Sequence, residues 1–234
     1  MKRFFCLSLI KLVVILLFSS EVSAATVSIY DKYQCDTTWG NQSLYNGRIW
    51  RDLYVSVRED QFLFSDEFMS GNVTMNGQTF SNLKLRYDIL NDEIIIITEK
   101  GLVLQLNKEM VDGFSIKNGS KIFNFRHLVS DSLNKIDGYF HVLYEGRSSL
   151  YAMYYKEIST RGPGKNYENF VQADRLFIVK DNIFHQIRSR SDFYKVLSDK
   201  KQAIKEYVRG KGLRINRKNP DSFVPGLQFY DSLR

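Results

Sequence analysis

Cysteine and proline are scarce in this chain, whose 234 residues hold two cysteines and three prolines. Cys6 lies in an N-terminal stretch that we expect to be removed, so Cys35 stands alone and the mature chain can form no internal disulfide. Stability must then come from a hydrophobic core, for which the length is ample. Cys35 is open to three interpretations: a buried thiol, a link between two copies, or a reactive thiol.

Motifs that carry known chemistry are missing as well. His127, His141 and His185 each fall in a predicted strand, and none has a second His or Cys at metal-ligand spacing. The sequence has no Gly-x-Ser-x-Gly turn, and the stretch from Arg161 to Lys165 lacks the spacing of a phosphate loop. The sequence thus predicts no metal and no cofactor. A Ser-His-Asp triad stays open, because its members need not be close in sequence.

The first 24 residues have the three parts of a secretory signal. Lys2, Arg3 and Lys11 precede an apolar run from Leu12 to Phe18, and the triplet ending at Ala24 offers small residues at the cleavage site. The apolar run is shorter than the about 20 residues that span a bilayer. We therefore expect residues 1–24 to be a cleaved signal peptide, and the mature protein to be exported to the periplasm, the cell surface or the medium, with no integral membrane span.

Residues 25–187 are predicted to form an antiparallel, β-rich body of about 10–12 strands. The strand pattern begins at Asp52–Val57 and Gln61–Phe64, alternates clearly over Leu83–Ile89, and includes four consecutive isoleucines from Ile94, which indicate a strand covered on both faces. Such a meander closes like a barrel or folds into two packed sheets.

Turn residues separate these strands into hairpins. Asn76-Gly77 is a strong two-residue hairpin signal, and Asp181-Asn182 is a second two-residue turn. Glu145-Gly146-Arg147 separates the strands Gly138–Tyr144 and Ser149–Ile158. Between Glu157 and Ala173 the sequence predicts a long connection with a basic, glycine-rich tip.

Residues 188–234 change to helical periodicity and are predicted to pack on the sheet as a basic helical tail. We expect Ser191 to cap the first helix, Gly210 and Gly212 to end the helical stretch, and Asn219-Pro220 to open another. The predicted fold class is therefore α+β, mainly β, with the strands first and two or three helices last.

Charge is concentrated in this tail. Residues 188–218 hold eleven basic and three acidic side chains, although the mature chain as a whole is only +5. The candidate binding residues there are Lys200, Lys201, Lys205, Arg209 and Lys211, to which the loop residues Arg161 and Lys165 are added. Two interpretations are open: a solvated helix face, or a surface for an acidic partner such as lipid head groups, lipopolysaccharide or acidic polysaccharide. Nucleic acid is not expected for an exported protein.

Two other clusters are weaker candidates. Asp88, Asp92 and Glu93 share one hairpin and would suit acid–base chemistry or calcium, although acids are common in turns. Trp39, Tyr45, Trp50 and Tyr54 would suit a platform for stacking sugars, although packing is the commoner role of such residues.

A resemblance extends over most of the mature chain. Gly71-x-Val73, the strand Leu85–Ile89, the Phe193-x-x-Leu197 helix, the lysine-rich stretch Lys200–Lys211 and the closing Tyr230-x-x-Leu233 are similar to features of an uncharacterised family of exported bacterial β-rich proteins with a helical C-terminal tail. The resemblance implies no activity, ligand or catalytic residue.

These observations favour a non-enzymatic protein of the cell envelope that contacts an envelope component or a partner protein. An exported hydrolase of glycan or peptide, with carboxylates or His141 lining a cleft, is the first alternative. A carbohydrate-binding module that uses the N-terminal aromatic residues is the second.

Overall fold

The computed structural model of the chain describes residues 44–130, 136–160 and 168–233. The predicted signal peptide, Cys35, Trp39, Arg161 and Lys165 lie outside these residues. The described part consists of eleven β-strands followed by three α-helices. The strands are β1 Arg48–Ile49, β2 Met69–Met75, β3 Gln78–Asp88, β4 Glu93–Ile97, β5 Val103–Gln105, β6 Val111–Asn118, β7 Lys121–Ser130, β8 Ile136–Tyr144, β9 Ser149–Thr160, β10 Glu168–Lys180 and β11 Ile183–Ile187, and the helices are α1 Arg190–Val196, α2 Lys201–Gly210 and α3 Val224–Ser232.

All eleven strands belong to one antiparallel sheet in the order β1-β5-β4-β3-β2-β6-β7-β8-β9-β10-β11. Most neighbours in the sheet are also neighbours in sequence, as expected of a chain of hairpins. The predicted α+β fold, mainly β, with a meander of 10–12 strands before the helices, is confirmed. Within the described residues the strands form one sheet whose two edge strands, β1 and β11, do not pair with each other.

The sheet is strongly curled. Tyr87 on β3 and Tyr139 on β8 are four strand spacings apart, which is about 19 Å across a flat sheet. Their ring centroids are nevertheless 5.9 Å apart. The curl folds the inner face of β2–β8 onto itself, and the rings of Phe114 and Phe125 stack at 4.6 Å inside it. Among the described residues, this half of the sheet therefore supplies most of its own core, to which Leu44 and Leu63 are added from outside the strands.

Two irregularities in β2 accompany the curl. The register shifts between Gly71 and Val73 against β3, and between Thr74 and Met75 against β6. A bulge of this kind bends its strand and increases the local twist. Gly71 has no room for a side chain, because a Cβ there would overlap the backbone carbonyl of Ser115.

The prediction for β4 is confirmed. Ile94, Ile95 and Ile96 are each exposed by 1% or less, so both faces of this strand are covered. Ile94 and Ile96 belong to the inner core. On the outer face, next to Ile95, Arg86 lies within 4.4 Å of the Trp50 ring centroid and 4.1 Å of the Phe62 ring centroid.

The strands predicted at Asp52–Val57 and Gln61–Phe64 are wrong. Residues 50–68 form an irregular segment in which only an isolated antiparallel bridge, Phe62 to Asp88, joins the chain to the end of β3. The side chains of Leu53 and Val55, which the alternation predicts to be buried, are 78% and 83% exposed. The segment is held by Lys156 of β9, whose Nζ donates to the carbonyl oxygens of Asp60 and Phe62 at 2.6 and 2.8 Å.

The long connection predicted between Glu157 and Ala173 is also wrong. β9 continues to Thr160 and β10 begins at Glu168, and Glu157 pairs with Val171 within that ladder. The buried ring of Phe170, which contacts Tyr54 at 5.9 Å, stabilises this extension of the hairpin.

The helices pack on the inner face of β9–β11, where the curl ends. Their core side chains, among them Phe193, Leu197 and Leu227, are fully buried in one cluster with Leu150 and Leu176. The helical stretch ends as predicted near Gly212, which has a φ of +63° and donates its N–H to Arg209.

The predicted cap of α1 is wrong by two residues. Ser189, not Ser191, is the N-cap, because its Oγ accepts from the backbone N–H of Asp192 while the Asp192 carboxylate accepts from the Ser189 hydroxyl. Pro220 opens a 3₁₀ turn, Pro220–Phe223, as its position after Asn219 predicts. Pro225 lies in the first turn of α3.

Candidate functional site

The predicted basic residues meet on one side of α2. Ile204 and Val208 are buried against the sheet layer, and this fixes which side of the helix faces the solvent. Lys201, Lys205 and Arg209 follow one another at intervals of four residues and are all exposed. Four residues of helix rise about 6 Å, so the three cations form a row about 12 Å long. We call this row the α2 basic face.

Further cations lie at both ends of the row. Lys200 is exposed in the 3₁₀ turn just before α2, and Lys211 is exposed just after it. The structure thus brings together five of the seven predicted binding residues in one short segment. The other two, Arg161 and Lys165, lie outside the described residues.

The two acidic groups closest in sequence to the α2 basic face have partners of their own. Asp199 accepts from Lys180 Nζ at 2.9 Å and from the Tyr230 hydroxyl at 3.0 Å. Desolvation works to raise the pKa of Asp199, but these hydrogen bonds outweigh it and hold the pKa below its ordinary value. Glu206 accepts from Gln202 at 2.9 Å on the neighbouring side of the helix. Of these two acids, Asp199 is paired with a cation, Lys180, whereas the partner of Glu206, Gln202, carries no charge.

Some basic residues of the tail make structural contacts within the protein. Arg217 donates to the backbone carbonyls of Ile187 and Asp174 and pairs with the Asp174 carboxylate at 2.7 Å. It therefore joins the segment after α2 to the sheet. Lys205 lies 5.6 Å from the ring centroid of Tyr194, which positions its aliphatic stem beside α1 while the residue remains exposed.

His141 is a core residue. It is 4% exposed, its Nδ1 is 3.1 Å from the Tyr154 hydroxyl, and its ring lies beside Phe123 and Phe125. Burial, with a contribution from Lys121, lowers its pKa to about 4. A neutral imidazole held among aromatic rings does not line a cleft, and this geometry gives no support to a hydrolytic role for His141.

Asp88 is buried, although the alternation of β3 predicts it on a wet face. Its Oδ1 accepts from the backbone N–H groups of Leu90 and Asn91, and its Oδ2 accepts from Gln61 at 3.0 Å. The carboxylate therefore holds the β3–β4 turn together. All of its described contacts are structural.

The other two acids of this hairpin belong to ionic contacts. Asp92 accepts from the Tyr87 hydroxyl at 2.5 Å and from Lys108 Nζ at 2.8 Å. Lys108 also contacts Asp137 at 3.1 Å, and Asp137 is 2.8 Å from His127 Nε2. Glu93 pairs with Arg48 at 3.3 Å, while burial raises the pKa of its carboxyl group.

This network between Asp92, Lys108 and Asp137 was missed from the sequence because its members are far apart in the chain. Burial works to lower the pKa of Lys108, but the hydrogen bonds to Asp92 and Asp137 outweigh it and raise the pKa. The hydrogen bond with His127 is the main reason why the pKa of Asp137 is lowered. Each charge therefore has a partner of opposite sign, and the network ties the β3–β4 turn to β8.

The N-terminal aromatic residues do not form an exposed platform in the described part of the chain. Trp50 is half-buried and packs at 6.0 Å, tilted by 54°, against Phe62. Tyr54 packs edge-on against Phe170. The hollow beside Trp50 and Tyr54 has a volume of only about 90 Å³.

Two larger hollows lie on the surface. One, of about 380 Å³, is lined by residues of β2, β3, β6 and β7, among them the polar residues Thr74, Ser115 and Asn124. The other, of about 420 Å³, is lined by residues 198–203 and lies directly at the start of the α2 basic face.

Within residues 44–130, 136–160 and 168–233, no cluster of three or more His, Cys, Asp or Glu side chains could hold a metal ion. In the same residues, no helix has the length and apolar character needed to cross a membrane. Comparison of the chain with protein-family models, with curated proteins and with solved structures finds no match in any of the three.

Proposed function

We propose that this protein is exported and that it binds an anionic component of the cell envelope through the α2 basic face. The observation that carries the proposal is the exposed row Lys201, Lys205 and Arg209, continued by Lys200 and Lys211. The chemistry that this row would recognise is phosphate or carboxylate groups spaced along a surface or a polymer. The role is one of binding.

The stability of the helix does not account for this arrangement of charges. Like charges four residues apart destabilise a helix by roughly 0.2–0.5 kcal/mol per pair, and the row contains two such pairs. Lys200 and Lys201 also stand at the N-terminal end of α2, where the helix dipole disfavours cations. A row that weakens its own helix is better explained by an external anion.

The expected strength follows from the charge. Each Lys or Arg close to an anionic membrane contributes about 1 kcal/mol, so the five cations together contribute up to about 5 kcal/mol at low salt. Reversing three of them should weaken binding by at least about a hundredfold, since 1.4 kcal/mol is a factor of ten. Exposed charges are screened, so binding should also fall steeply with salt.

The test is sedimentation of the mature protein with vesicles. Vesicles of phosphatidylcholine mixed with phosphatidylglycerol should bind the protein at low salt, and vesicles of phosphatidylcholine alone should not. Alginate, added as a soluble carboxylate polymer, should compete. The triple variant K201E/K205E/R209E should lose binding to both anionic probes.

A matched control separates the α2 basic face from net charge. Lys84, Lys100 and Lys117 are exposed on the body of the sheet, and K84E/K100E/K117E changes the net charge by the same amount. The control should retain most of the binding. Equal loss in the two triple variants, or no binding to either probe by the unchanged protein, would contradict the proposal.

Export is tested independently. When the full chain is produced in a bacterial host, osmotic shock should release a shortened protein whose N-terminal sequence begins at Ala25. Recovery only of the full-length chain in the cytoplasm would overturn the export part of the proposal and leave the binding experiment unaffected.

A further inference from the structure

The two edges of the sheet differ. β1 has two residues, and its Arg48 is paired with Glu93. A short, charged edge is the usual protection against pairing with another chain. β11 has five residues, Ile183–Ile187, with neither Lys, Arg, Asp, Glu nor Pro among them, and Ile183 is 56% exposed. The edge at β11 lacks these protections.

The turn before β11 fixes which backbone groups point outward. Asp181 and Asn182 have φ values of +52° and +61°, which form a two-residue hairpin. In such a hairpin the flanking pair, Lys180 and Ile183, is hydrogen-bonded, and the pattern alternates from there. The backbone groups of Phe184 and Gln186 therefore point away from β10.

In the part of the chain that the structure describes, no backbone or side-chain group bonds to these outward N–H and C=O groups. Gln186 is exposed and Phe184 is half-buried, so solvent reaches this edge. An unpaired strand edge of this kind is a template for another strand.

We propose that β11 pairs antiparallel with β11 of a second copy of this chain, about a two-fold axis that passes beside His185. In this register Phe184 of each copy faces Gln186 of the other, and four backbone hydrogen bonds form. A shift of one residue sets outward groups against groups that point to β10, and a shift of two residues in either direction places one outward residue opposite itself and moves the other beyond the end of β11. The symmetric register is therefore the one that satisfies all the outward groups of both copies.

The charges at the two ends of β11 fit the same arrangement. Asp181 lies just before the strand, and Arg188 and Arg190 lie just after it. Antiparallel pairing places Asp181 of each copy beside the two arginines of the other. Lys180, the other charge at the turn, is already paired with Asp199. Self-pairing therefore brings opposite charges together at both ends, whereas a parallel pairing would not.

The contact is small, because five residues bury less than the about 1,200 Å² of a standard interface. We therefore expect a dimer that dissociates on dilution, measured by sedimentation velocity of the mature protein over a concentration series. The pairing does not involve the α2 basic face, so this inference stands apart from the proposed function.

The first variant removes one outward donor. Proline has no N–H but is tolerated on the open side of an edge strand. Gln186→Pro should remain monomeric at concentrations where the unchanged protein dimerises, and Gln186→Thr, which keeps the N–H, should still dimerise. An unchanged protein that stays monomeric at every concentration, or a proline variant that folds and still dimerises, would overturn the proposal.

A second measurement, disulfide cross-linking, tests the proposed pairing even if the proline variant fails to fold. In a Cys35→Ser background, His185→Cys places two thiols opposite each other in a non-hydrogen-bonded pair, with Cα atoms about 4.5 Å apart, which a disulfide can bridge. Gln186→Cys would place its two Cα atoms about 8 Å or more apart, beyond the reach of a disulfide. The first variant should form a covalent dimer on mild oxidation and the second should not. Equal cross-linking of both, or of neither, would refute this register.

Discussion

The buried imidazole of His141 should make the protein lose stability as the pH falls. The ordinary pKa of 6.5 is lowered to about 4 in the folded protein, mainly by burial and secondarily by Lys121. The unfolded chain binds a proton near pH 6.5, whereas the folded protein resists binding one until about pH 4. The unfolded state is therefore favoured increasingly between these two values. The full difference corresponds to about 3 kcal/mol, since one pKa unit is 1.36 kcal/mol.

The assay is urea unfolding of the mature protein at a series of pH values from neutral to pH 4. The matched variant is His141→Gln, which cannot titrate but can still bond to the Tyr154 hydroxyl. Subtracting its stability from that of the unchanged protein removes the contribution of all other groups. The difference should fall by about 3 kcal/mol across this range. A difference that stays constant, or a His141 resonance that titrates near pH 6.5 in the folded protein, would refute the reasoning.

Three substitutions test the packing of the sheet and the helix by the same unfolding assay at neutral pH. Lys156→Met should cost about 2–3 kcal/mol, because the side chain is 10% exposed and the Asp60 carboxylate and the carbonyls of Asp60 and Phe62 would lose the ammonium group that donates to them. A cost below about 0.5 kcal/mol would show that the irregular segment is held by other contacts. Gly71→Ala should cost more than about 2 kcal/mol, since the new Cβ meets the backbone of β6, and an unchanged midpoint would contradict the close approach of the strands. Ser189→Ala should cost about 1 kcal/mol and Ser191→Ala less than about 0.5 kcal/mol, and the reverse order would restore the cap expected from the sequence.

Features that depend on two or three adjacent residues could be predicted from the sequence. The Asn76-Gly77 turn has φ values of +49° and +77°, as its residue types require. The four-isoleucine strand is buried on both faces, as a continuous apolar run predicts. The row on α2 could be found because residues four apart in a helix share a side.

Features that depend on partners distant in the sequence could not be predicted. The alternation at Asp52–Val57 is as regular as that of a true strand, but no described strand pairs with it. Asp88 occupies the polar position in an alternating strand, yet Gln61 and the turn that follows provide donors that allow it to be buried. Ser189 and Ser191 are equivalent by residue type, and only the reciprocal bond with Asp192 distinguishes them.

The inner face of β2–β8 is covered by the curl of the sheet, whereas that of β9–β11 is covered by helices. This difference has a consequence for the order of folding. The core of the curled half is complete once β8 has been made, since its buried residues all lie between Leu44 and Tyr139. The inner face of β9–β11, with Leu150, Ala152, Leu176 and Ile178, is covered by side chains that come only after Ile187. A chain interrupted there would possess all eleven strands and still present an open apolar surface. The helices that follow the strands thus remove this apolar surface from contact with other chains.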